Sequence, residues 1–130
     1  MKHEDFLLFL EEKPGSLALY QQLEKAVLGL GDPVQIRVGK SQVSFVNRHI
    51  FACASLMRVR KKQDLPDPYL VVTFGLDRQV SSPRIAVSVE PYPNRWTHHV
   101  LIQSSQEIDE ELLGWLREAY VFSAQKRRRL

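Results

Sequence analysis

The stretch VQIRVGKSQVSFVN (residues 34–47) alternates apolar and polar side chains with a period of two. Val34, Ile36 and Val38 fall on one side and Gln35 and Arg37 on the other, and Val43 and Phe45 repeat the pattern against Gln42 and Ser44. Successive strand side chains point to opposite faces, so this rhythm belongs to two half-buried strands. Gly39 to Ser41 suit a tight turn between them, and the stretch predicts a β-hairpin.

Toward the amino terminus the period changes to that of a helix. Leu19, Leu23, Ala26, Val27 and Leu30 form one stripe, predicting a helix over residues 16–28. GLGDP (29–33) stops it, with a glycine available for a left-handed cap and a proline that cannot continue the helix. A shorter amphipathic helix is expected over residues 4–11, with Phe6, Phe9 and Leu10 on one side.

Toward the carboxy terminus, strand patterns recur. Residues 50–59 are small or apolar on both sides, which suits a central strand covered on both faces. YLVVTFGL (69–76), RIAVSVE (84–90) and HHVLIQ (98–103) follow, separated by turn formers. In the second of these, Ile85, Val87 and Val89 alternate on one face. Ser104 and Glu107 have capping-box spacing and open a long helix, expected to bury Ile108, Leu112, Trp115, Ala119 and Phe122. The expected fold is therefore α+β: a mostly antiparallel sheet of about five to six strands packed against two N-terminal helices and one long C-terminal helix.

With 130 residues, 44% of them hydrophobic and 25% charged, the chain has the size and composition of one ordinary globular domain. Residues 1–125 are expected to form it, and 126–130 a basic disordered tail. Lys126, Arg127, Arg128 and Arg129 hold four positive charges, so the formal +3 leaves 3 − 4 = −1 for the remainder. The distribution says more than the sum. From Pro33 to Gln63 there are seven bases and no acid, which creates a local positive potential within the fold. No apolar run approaches the roughly 20 residues of a membrane span, and the amino terminus does not read as a signal peptide, so a cytoplasmic protein without membrane contact is expected.

Four stretches together carry a resemblance: GKSQVSF (39–45), VTFGLDR (72–78), SPRIAVSVEPYPNRWTHHV (82–100) and EIDEELLGWLREAY (107–120). In this order the chain resembles an uncharacterised bacterial family of domains of unknown function, sometimes labelled "predicted transport protein". The resemblance covers nearly the whole chain and brings no reaction and no catalytic assignment. Family members stand alone or fused to other modules, which implies a recognition module.

Chemical motifs are sparse. The single cysteine, Cys53, excludes an internal disulfide and CxxC-type zinc sites, and its neighbours IFACASLM suit a buried, unreactive thiol. No HExxH or GxSxG is present, and GLGDP ends a helix instead of presenting amides at a helix start, so it is no phosphate cradle. His98 and His99 are adjacent on a strand and point to opposite faces, so they do not share a metal ion. One is expected to face the core and the other solvent or a groove.

A non-enzymatic binding or interaction module is therefore the expected function, without catalytic residues, metal or cofactor. The expected ligand-binding residues are Lys40, Arg48, Arg58, Arg95, Trp96 and His99. Lys40, Arg48 and Arg58 bring charge to a sheet edge, Arg95 ion pairing, Trp96 a stacking platform and His99 a hydrogen bond to an anionic group. A protein partner, a second copy of the chain, nucleic acid and a small anionic ligand all remain open. The alternative is an enzyme using a histidine as general base in a groove near residues 95–99.

Overall fold

The hairpin forms as its alternation requires. In the computed structural model, which describes residues 5–125, β1 (Gln35–Val38) and β2 (Gln42–Val46) pair antiparallel, with Ile36 opposite Phe45. The Gly39 amide donates to the Gln42 carbonyl at 2.8 Å and closes the turn. The expected tail, 126–130, lies outside the described residues.

Four more strands extend the hairpin: β3 (Ile50–Ser55), β4 (Leu70–Leu76), β5 (Ile85–Tyr92) and β6 (Arg95–Ile102). The order across the sheet is β1-β2-β3-β4-β6-β5, every neighbouring pair antiparallel. Only β6 departs from a simple meander, since it turns back from β5 and inserts between β4 and β5. Three helices, α1 (Phe6–Leu10), α2 (Pro14–Leu28) and α3 (Glu110–Gln125), pack on one face of this sheet. The fold is α+β. None of the helices among the described residues is long and apolar enough to cross a membrane.

The core lies between the helices and one parity of strand residues, including Val43, Phe45, Val72, Phe74 and Val100. Leu23, Leu70, Leu112 and Leu116 are fully buried there, and each such burial contributes about 1.5–3 kcal/mol. Strand residues of the other parity (Ser44, Cys53, Thr73, His99) lie side by side in register across the opposite face.

Several local expectations change. Phe9 is 36% exposed while Phe6 and Leu10 are buried, so α1 presents a narrower apolar face than its sequence suggests. In α2 the buried stripe includes Tyr20, stacked on Phe45 with ring centroids 6.4 Å apart, whereas Ala26 is only half-buried. Gly29 ends α2 with φ of −82°, a right-handed conformation, so the left-handed cap is not used. The Ile50–Ser55 strand is shorter than residues 50–59. In β5 the register shifts between Ile85 and Val87; Ile85 pairs with Val100 and packs on the core, while Val87 pairs with His99 on the other face. That irregularity breaks the alternation read from the sequence.

The capping box of Ser104 and Glu107 is present, but it closes a single tight turn (Ser105–Glu107), and α3 itself begins at Glu110. The Asp109 carboxylate accepts the Leu112 amide at 3.0 Å and serves as the cap of α3. The buried face of α3 runs through Leu112, Leu116, Ala119 and Ser123, with Trp115 packed beside it. Arg84, at the entry to β5, ties this helix start to the sheet. Its guanidinium donates to Asp109 at 2.8 Å, to Glu111 at 3.1 Å and to the Glu107 carbonyl at 2.7 Å. Both carboxylates are substantially exposed, so water screens part of the attraction. Arg84→Ala is expected to cost about 1–2 kcal/mol in urea unfolding. An unchanged midpoint would show that this clamp contributes nothing.

Candidate functional site

The topology distributes the six expected residues unevenly. Lys40 sits in the β1–β2 turn and Arg48 in the β2–β3 turn, at opposite ends of β2. Arg58 follows β3 at the Lys40 end. Trp96 pairs with Leu76 at the other end of the sheet, with Arg95 just before it. His99 lies mid-strand opposite Thr73. Arg95 and Trp96 therefore come together, with His99 farther along the same strand, whereas Lys40 and Arg58 occupy the far end.

Strand parity splits the two histidines as expected. His98 is fully buried on the helix side, its ring 5.0 Å from that of Phe74, which in turn lies 5.7 Å from Trp115. Its Nε2 accepts the Val80 amide at 2.9 Å, which fixes the loop between β4 and β5. His99 is half-buried on the opposite face, its Nδ1 2.8 Å from Thr73 Oγ1. Among the described residues no three His, Cys, Asp or Glu side chains converge as metal ligands.

Burial pushes both histidines below the ordinary imidazole value, because desolvation penalises the charged ring. The unfolded chain takes up these protons near pH 6.5, and the folded chain resists them. Stability contributed by the neutral rings is present above pH ~6.5 and is lost as pH falls below it. Between about pH 7.5 and about pH 5, urea unfolding is expected to lose about 1–3 kcal/mol, and His99→Gln is expected to lessen that loss. A flat profile would contradict the burial of these rings as neutral groups.

At the Trp96 end of the sheet, beside the carboxy-terminal turns of α3, lies a hollow of about 520 Å³. Cys53, Thr73, Gly75 and Thr97 of three neighbouring strands line it, with Tyr92 and Arg95 of the β5–β6 hairpin and Phe122 of α3. The hairpin turns at Asn94, whose φ of 63° is the left-handed conformation that asparagine tolerates. Gly75 opens the space. A Cβ added there would meet nothing nearer than the Trp96 carbonyl oxygen at 3.8 Å, so the glycine is not required by close packing. No glycine among the described residues has positive φ, so backbone conformation does not require it either.

Among the described residues lining the hollow, Arg95 is the cationic group. Its guanidinium carbon lies 5.1 Å from the Phe122 ring centroid, and Nη1 donates to the Asn94 carbonyl at 3.3 Å. Among the described residues no carboxylate forms an ion pair with it. Cys53 is half-buried and meets polar neighbours instead of the apolar ones expected: Gln42 Nε2 donates to its sulfur at 3.3 Å, and Ser44 Oγ lies 3.7 Å away. Burial nevertheless raises the thiol above its ordinary value, outweighing those two contacts, which favours the unreactive thiol form.

Sequence reading reached Arg95 and Trp96 but missed Gly75, Thr73, Thr97 and Phe122. One signal was available: a glycine inside VVTFGL, where a strand interior ordinarily disfavours it. A family model described as "Domain of unknown function (DUF5655)" matches residues 8–123. No curated relative and no solved structure matches the chain.

Proposed function

The chain belongs to the DUF5655 family of domains of unknown function, and we propose that it acts as a small-ligand-binding module without catalysis. Its ligand is a compact apolar or aromatic molecule carrying one anionic group. The apolar body rests over Gly75 between Tyr92 and Phe122, and the anionic group meets Arg95. The observation that carries this reading is the unfilled space at Gly75 beside a cation that no carboxylate among the described residues neutralises. A glycine inside a strand often marks the close approach of a ligand. The volume falls within the roughly 300–1,000 Å³ of small-molecule sites. Of the six expected residues, Arg95 and Trp96 line the hollow, while His99 lies farther along β6 against Thr73.

A thermal-shift titration with naphthalene carboxylate and its uncharged carboxamide tests the reading. The carboxylate is expected to raise the melting temperature with concentration, and the carboxamide much less. Arg95→Gln is expected to weaken carboxylate binding by roughly tenfold to a hundredfold, as loss of a charged hydrogen bond implies. Equal shifts from both compounds would refute the role of Arg95.

One contact supports the enzymatic alternative, the 2.8 Å separation of Thr73 Oγ1 and His99 Nδ1, since a hydroxyl beside an imidazole is the pairing of a nucleophile with a general base. Hydrolysis of an activated naphthoate ester that disappears in both Thr73→Val and His99→Gln would favour that reading over simple binding.

A further inference from the structure

A second hollow lies at the opposite end of the sheet, between α1 and the first hairpin. It measures about 500 Å³ and is lined by Phe6 and Phe9 of α1, Lys40 and Gln42 of the hairpin, and Leu56 and Met57 after β3. The Phe6 amide donates to the Gly39 carbonyl at 2.8 Å, so helix and hairpin are held as its two walls. Phe9 is 36% and Met57 41% exposed, and the methionine is the adaptable one of the two.

The rim is basic. Lys40 lines the opening, and Lys13 Nζ stands 5.6 Å from the centroid of the Phe9 ring. Arg58 follows Met57 in sequence, and the Tyr69 hydroxyl donates to the Leu56 carbonyl at 2.6 Å. Asp5, the N-cap of α1, accepts the Leu8 amide at 2.9 Å. Among the described residues no carboxylate forms an ion pair with Lys40 or Arg58.

We propose that this hollow docks an acidic peptide segment of a partner protein, inserting one or two large apolar side chains between Phe9 and Met57 while its carboxylates meet Lys40 and Arg58. Charge complementarity selects the acidic partner, since apolar floor and cationic rim are matched by alternating leucine and glutamate. Concavity selects a peptide over a lipid headgroup surface, because inserted side chains fill a hollow and a flat membrane does not. The apolar floor of Phe6, Phe9, Leu56 and Met57 suits inserted aliphatic side chains better than nucleotides. This surface is separate from the Gly75 hollow and does not depend on it.

Fluorescence anisotropy of the full chain with a fluorescein-labelled peptide alternating leucine and glutamate tests the proposal. Binding is expected to weaken by about tenfold or more in Lys40→Glu combined with Arg58→Glu. It is also expected to weaken in Met57→Ser, a partly exposed position, with the melting temperature confirming that the variant folds. Gly75→Val should leave it unchanged. A peptide with alanine in place of leucine that binds equally well would overturn the proposal, because only nonspecific charge would then be acting. Preference for phosphatidylserine vesicles or single-stranded DNA over the peptide, or indifference to the double charge reversal, would overturn it as well.

Discussion

Gly75→Val is expected to abolish naphthalene carboxylate binding while leaving the protein at least as stable as before. The two effects separate because of where the glycine sits. It pairs with Thr97 in β4, an interior strand, and a Cβ at this site makes only ordinary van der Waals contact, 3.8 Å from the Trp96 carbonyl oxygen. Valine is a strong strand former and glycine a poor one, a preference spanning about 1 kcal/mol, so the fold has no reason to resist the change. Its two methyl groups project into the space that the ligand requires. The affinity loss is expected to reach about a hundredfold or more, equivalent to about 2.7 kcal/mol. Gly75→Ala should give an intermediate loss. Retained binding at full affinity would exclude the hollow as the site, whereas a large fall in stability would show that the glycine is structural.

Phe74→Ala is expected to be the most damaging single core substitution, costing about 3–5 kcal/mol in urea unfolding. Phe74 is 1% exposed and lies between the rings of His98 and Trp115, joining the sheet to α3. Its cross-strand neighbour on β3 is Ala52, too small to fill the vacated volume. With total stability on the order of 5–15 kcal/mol, the variant would be marginal at physiological temperature. Phe74→Leu should lose much less. A cost below about 1 kcal/mol for the alanine variant would mean that this stack does not organise the core.

The alternation of 34–47 and the helical stripe of α2 sufficed to read the fold class, because both elements bury one face against a single core. Reading failed where tertiary context overrides local pattern. The bulge beside Val87 redirects a strand face without any change in the HPHP rhythm. Asp109 displaces the capping box as the start of α3, because Arg84 secures it there from another part of the chain. Tyr20 joins the core through stacking on Phe45, a contact between residues far apart in sequence. The site was harder still. Charge and aromaticity are visible in a sequence, and they drew attention to Lys40, Arg48, Arg58, Arg95 and Trp96. An empty volume is not visible. It arises from what three neighbouring strands leave out, and only the register of Cys53, Thr73, Gly75 and Thr97 reveals it. The doubled histidine, prominent as a motif, divides into a core ring at His98 and a hydrogen-bonded ring at His99.

Amide NMR of the isotopically labelled protein, titrated with naphthalene carboxylate, locates the ligand directly. Saturable shifts are expected at Cys53, Thr73, Gly75, Arg95 and Thr97, together with shifts of the Phe122 ring, and these are expected to vanish in Arg95→Gln. Shifts confined to the Lys40–Met57 end, or no saturable shifts at all, would contradict the binding site proposed at Gly75.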